Sequence, residues 1–126
     1  MTAQQQENAL TLLAKIQTGS IADAPFTEDA IWWWNGGLSF PIAAFDALLG
    51  QLHAQTLEGI AIIPGLIMTQ GDSLMIEATS ASGLKNGKQY NNRYIFLIHF
   101  DGDRIREVRE YSDTAHVIAT FDMGAG

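Results

Sequence analysis

From Gly59 onward the chain is built of short runs rich in β-forming residues, set apart by dipeptides that favour tight turns. The runs are Gly59 to Ile63, Leu66 to Gln70, Leu74 to Ser82, Gln89 to Phe100 and Arg104 to Ser112. Gly71-Asp72, Asn86-Gly87 and Asp101-Gly102 lie between successive runs, and such pairs suit the backbone of two-residue hairpins. Two stretches of helical period precede this meander. Thr2-Ala3-Gln4-Gln5 has the form of a capping box, after which Ala9, Leu12, Leu13 and Ile16 recur on one helical face to about Thr18, where Gly19 supplies a stop. Pro25 limits Ser20 to Glu28 to a turn or two of helix. Ile31 to Trp34 reads as a first short strand leaving through Asn35-Gly36-Gly37. Ile42, Phe45, Leu48, Leu49 and Leu52 then form the apolar face of a second helix, with Pro41 in its first turn. Helices first and an antiparallel meander second predict an α+β domain whose curved sheet wraps around the helices.

A chain of 126 residues with 47% apolar and 17% charged residues is expected to form one domain, residues 1–126, with ragged ends at Met1 to Gln4 and after Phe121. A formal charge of −7 repels phosphate backbones and anionic lipid, so neither nucleic acid nor a membrane surface is an expected partner. The start, MTAQQQENAL, lacks the basic and apolar regions of a signal peptide, and the expected location is cytoplasmic. With no cysteine there is neither a disulfide nor a sulfur nucleophile. His53, His99 and His116 are far apart and show no metal-ligand spacing, and Gly36-Gly37 leads into no phosphate loop. No metal and no cofactor is therefore expected.

Three segments carry a family likeness: Thr27-Glu28-Asp29-Ala30-Ile31-Trp32-Trp33-Trp34, the helix beginning Pro41-Ile42-Ala43-Ala44-Phe45, and the strand pair Tyr94 to Ile105 and Arg106 to Asp113 with its "DG-x-basic-I … REYxD" pattern. In this order they resemble the SnoaL-like branch of the nuclear transport factor 2-like superfamily. The resemblance implies a cone-shaped barrel in which helices and a concave, mostly antiparallel sheet enclose an apolar pocket. It also implies a homodimer through the outer sheet face, to which the alternation of Ile95 and Leu97 opposite Phe96 adds support. The superfamily holds isomerases, cyclases, hydrolases and members without catalysis, so function has to be read from the site.

The ketosteroid isomerase pattern is not met. Its base position falls on Trp34, its oxyanion carboxyl on Phe96 and its tyrosine near Leu12. Limonene-type epoxide hydrolases share the closing pattern, but the strand Leu74 to Ser80 offers Glu77 and no arginine. Polyketide cyclases end similarly, in an acidic residue that serves as acid and base. Glu110-Tyr111-Ser112-Asp113 fills that place and nominates Asp113, which can equally cap a helix starting at Thr114.

Strand alternation puts Trp32 and Trp34 on the pocket side with Trp33 opposite, and Tyr94 with Phe96. Tyr94, Tyr111 and Arg109 are the expected polar guides for a ligand, and Trp32, Trp34 and Phe96 its walls; Arg109 can instead pair with Glu77 or Glu107 across the sheet. The expected function is binding of a small apolar, carbonyl-bearing molecule, with cofactor-independent isomerase, cyclase or hydrolase chemistry at Asp113. The alternative is a non-catalytic ligand-binding or dimerisation module of the same fold.

Overall fold

A computed structural model describes residues 1–123. The expected raggedness after Phe121 falls partly on residues 124–126, outside the described residues.

Helix α1 (Ala3–Thr18) opens with Thr2 and Gln5 bonded reciprocally as a capping box, and it ends at Gly19 in the left-handed conformation (φ 90°). No other residue suits position 19, because a Cβ there would come within 2.6 Å of the His53 ring. Gln5 is buried and donates to the Gly102 carbonyl at 2.8 Å, tying the start of α1 to a distant hairpin. Strand β1 (Phe26–Trp34) begins five residues earlier than the β-forming run suggested, because the partly buried Phe26 pairs alongside Ile105. The short β2 (Leu38–Pro41), which the sequence did not announce, folds back on β1, and Pro41 is the N-cap of α2 (Ile42–His53) instead of a first-turn residue.

The meander consists of β3 (Ala61–Gln70), β4 (Ser73–Ala81), β5 (Arg93–Asp101) and β6 (Arg104–Ser112), followed by α3 (Thr114–Thr120). The two runs expected on either side of Pro64 are one strand, irregular between Pro64 and Ile67. The run expected from Gln89 enters the sheet only at Arg93, since Tyr90 and Asn92 are used in buried side-chain bonds. The sheet order is β2-β1-β6-β5-β4-β3, with β1 parallel to β6 and every other pair antiparallel. The sheet is curled but not closed, so the expected barrel is an open cone with β2 and β3 as its edges. Its concave face carries Trp32, Ile76, Phe96, Ile98 and Val108, all buried against Leu12, Leu13, Phe45 and Leu49 from the helices.

One irregularity controls what the cone contains. In the β5–β6 ladder His99 pairs with Glu107 and Phe100 with Ile105, leaving Arg106 as an extra residue on β6. Ile105 faces in, and after this bulge the parity reverses, so that Val108 and Glu110 face in while Arg109 and Tyr111 face out.

Candidate functional site

Trp32, Trp34, Tyr94, Phe96 and Phe45 surround a cavity of about 40 Å3, with Leu48, Leu49, Leu52, Ile60, Ile62 and Val117 filling in its wall. Its most polar lining group is Glu110, only 6% exposed. The β5 register explains the position: Glu110 pairs with Phe96, and directly opposed residues share a sheet face. Trp32 Nε1 donates to Glu110 Oε1 at 3.0 Å, and Ser112 Oγ donates to Oε2 at 2.9 Å. Ser112 Oγ in turn accepts from Trp34 Nε1 at 3.0 Å. Two indoles and one serine thus hold a single carboxyl group.

Burial pushes the Glu110 carboxyl up to about 7 from the ordinary 4.5, against the opposing pull of the bonds from Ser112 and Trp32. Among the described residues no basic side chain pairs with it.

A second polar group lines the same cavity. Tyr94 and Tyr90 bond hydroxyl to hydroxyl at 2.8 Å, Tyr94 also lies 3.2 Å from Ser80 Oγ, and Asn92 Nδ2 donates to the Tyr90 hydroxyl at 2.9 Å. Desolvation raises both phenols, Tyr90 to about 12, so both remain protonated donors at neutral pH. Tyr90 is further held between the His116 ring, stacked at 5.4 Å, and Phe121.

The candidate residues divide between the two faces of the sheet. Trp32, Trp34, Tyr94 and Phe96 come together in the cavity. Arg109, Tyr111 and Asp113 do not. Asp113 is exposed at the N-cap of α3, where its carboxylate accepts from the His116 N–H at 3.2 Å. Arg109 lies over the outer face of Trp33 at 4.2 Å and 3.8 Å from Glu107, and Tyr111 packs tilted against that indole with its hydroxyl 3.4 Å from Arg109 Nε. Glu110, Tyr90 and Ser112 are the site residues that sequence reasoning passed over. Strict alternation from Ile105 turns Arg109 and Tyr111 inward, and the bulge at Arg106 undoes it. The usable signal was Phe96, whose pairing partner shares its face whatever happens at residue 106.

Among the described residues no group of three or more His, Asp or Glu side chains is arranged to hold a metal, and no helix is long and apolar enough to cross a membrane.

No protein-family model and no curated protein matches the chain. Solved structures do. A candidate SnoaL-like polyketide cyclase from Jannaschia superposes with a TM-score of 0.77 at 13% identity, over 98% of this chain and 93% of that one. A nuclear transport factor 2-like protein of unknown function from Burkholderia pseudomallei gives 0.78 at 14% identity, over 94% and 98%. A protein with a ketosteroid isomerase-like fold from Catenulispora acidiphila, solved with trimethylamine, gives 0.74 at 15% identity, over 95% and 97%. The architecture reached from the residues is therefore the cone fold of the SnoaL-like, nuclear transport factor 2-like proteins.

Proposed function

We propose that the chain binds a small, largely apolar molecule with one carbonyl or hydroxyl group in the cavity of Trp32, Trp34, Tyr94 and Phe96, and that Glu110 acts on it as a cofactor-independent acid–base group. The observation that carries this reading is the buried Glu110 carboxyl, which titrates near 7 and has neutral bonding partners only. Near that value both protonation states are populated at neutral pH, as is required of a group that takes a proton from an activated carbon and returns one to oxygen. Isomerase, cyclase and hydrolase chemistry all use such a group. The Tyr94–Tyr90 hydroxyl pair supplies a donor for the ligand oxygen within the same apolar wall. Asp113, exposed and engaged in capping α3, yields the acid–base role to Glu110.

The test is turnover and binding of a panel of apolar carbonyl compounds by wild type and Glu110→Gln. The expected result is a loss of turnover of roughly 10²–10⁴-fold in Glu110→Gln. Binding without turnover by wild type across the panel favours the non-catalytic alternative.

A second reading has its own support: an unpaired carboxylate among aromatic rings suits a small alkylammonium ion, and one protein of this fold was solved with trimethylamine. Binding of trimethylamine that weakens below pH 7, as Glu110 gains its proton, separates this from recognition of a neutral ketone.

On the outer sheet face, Trp33, Ile95, Leu97 and Tyr111 form an apolar and aromatic strip that suits a second copy of the chain, giving a homodimer. Arg109 and Tyr111 belong to that strip in this reading.

A further inference from the structure

The chamber that holds Glu110 has about 40 Å3 of free space, enough for a few water molecules at most. Pockets for organic ligands span about 300–1,000 Å3. A ligand of the class proposed above reaches the carboxyl only if a wall moves.

The walls differ in how firmly they are held. Trp32 is fully buried, stacked at 4.2 Å on Phe45, edge-on to Phe96 and bonded to Glu110. Phe96 is stacked on Tyr94 at 5.0 Å. Trp34 is 9% exposed, has no ring partner among the described residues, and is bonded through Nε1 to one serine hydroxyl.

Trp34 also borders an open, almost wholly apolar groove of about 460 Å3, lined further by Asn35, Gly36, Leu38, Thr114, Ile118 and Met123. Trp34 lines both spaces. Leu38 and Ile118 are 51% and 69% exposed, so the groove stands open to ligands from solution. Gly36 and Gly37 both have positive φ, and a Cβ at either would meet nothing within 4 Å, so the turn that follows Trp34 stands in open space. The Trp34 backbone itself is fixed, paired with Leu38 on one side and Glu110 on the other, while Asn35 is bonded to Ser112 in both directions. The available motion is rotation of the side chain into the groove.

We propose that Trp34 is a movable partition between two chambers of one binding site. The groove takes the hydrocarbon body of a ligand that ends in one carbonyl or hydroxyl. The indole swings aside, and the polar end meets Glu110. Rotation breaks the Trp34–Ser112 bond, so arrival of the ligand is coupled to the hydroxyl that supports the Glu110 carboxyl. This proposal rests on the reading of Glu110 as the ligand-facing acid.

The probe is the neutral naphthyl ketone Prodan, added to full-length protein carrying fluorotryptophan and observed by fluorine NMR. The three tryptophan resonances are assigned from single Trp→Phe variants. Saturating Prodan is expected to shift or broaden the Trp34 resonance while that of Trp32 moves little, and Trp34→Ala is expected to bind Prodan about tenfold faster, since a conformational step has been removed. Should Trp34→Ala not fold, Trp34→Phe with its smaller ring gives a smaller acceleration in the same direction. An unmoved Trp34 resonance, together with wild-type association rates in Trp34→Phe, overturns the partition. The Glu110 carboxyl carbon, followed in parallel, keeps the two ideas apart. A response at Glu110 with Trp34 unmoved sinks the partition alone. A moved Trp34 with Glu110 unresponsive supports the swing of the indole but overturns its coupling to Glu110 and sinks the acid–base reading, and no binding of Prodan to wild type or Trp34→Ala sinks the partition.

Discussion

The indole N–H of Trp32 donates to Glu110 Oε1 at 3.0 Å, and both side chains are buried. The carboxyl titrates near 7 in the fold and near 4.5 in an unfolded chain, so the folded state holds an extra proton between those values. Stability therefore falls as pH rises from about 4.5 to about 7, and then levels off, with a total cost on the order of 3 kcal/mol. Glu110→Gln removes the titration. Denaturant melts are expected to show the variant more stable than wild type at pH 8, with the advantage shrinking toward pH 5; a constant difference across that range contradicts the assignment.

Trp32→Phe keeps an aromatic ring on Phe45 but withdraws one of the two donors to the carboxyl. Losing a bond to the charged form moves the Glu110 titration higher still, and the fold is expected to weaken by about 1–3 kcal/mol. Carboxyl-carbon NMR follows the first effect and thermal melts the second.

Asp113→Ala separates capping from catalysis. Loss of the bond to the His116 N–H is expected to cost about 1 kcal/mol. The Glu110 titration and ligand binding should stay as in wild type, because the Asp113 carboxylate is outside the cavity.

At Gly19→Ala two penalties coincide, a left-handed backbone and a collision with the His53 ring at 2.6 Å. The expected destabilisation exceeds about 1 kcal/mol, and Gly37→Ala, at a positive φ but in open space, isolates the backbone share.

Ile95→Lys puts a charge in the middle of the outer strip and leaves the concave face intact. Light scattering after size exclusion is expected to show a dimer for wild type and a monomer for the variant. A wild-type monomer at micromolar concentration removes the dimer reading.

Local chemistry accounts for what could be read early. The Thr2–Gln5 box, the stop at Gly19 and the turn glycines Gly71 and Gly102 each act within a few residues, and each is present as the sequence implied. The alternation that sends Trp32 and Trp34 inward and Trp33 outward is also local. By contrast, β2 has only Leu38, Ser39, Phe40 and Pro41 to signal it, and it exists because β1 offers an edge to pair with.

Which carboxyl lines the cavity lies beyond local rules. From the sequence alone came the α+β order, the meander, the aromatic wall and the expectation that one carboxyl near the end of β6 serves it. Which carboxyl faces the cavity was decided by tertiary structure, since an unpaired Arg106 reverses the faces of every residue after it and turns Glu110 inward and Asp113 away. A bulge costs the strand little locally and is set by how β6 must match β5 on one side and β1 on the other. The raised affinity of Glu110 for its proton has the same origin, because a carboxyl is desolvated only by residues brought to it from other strands and from helix α2.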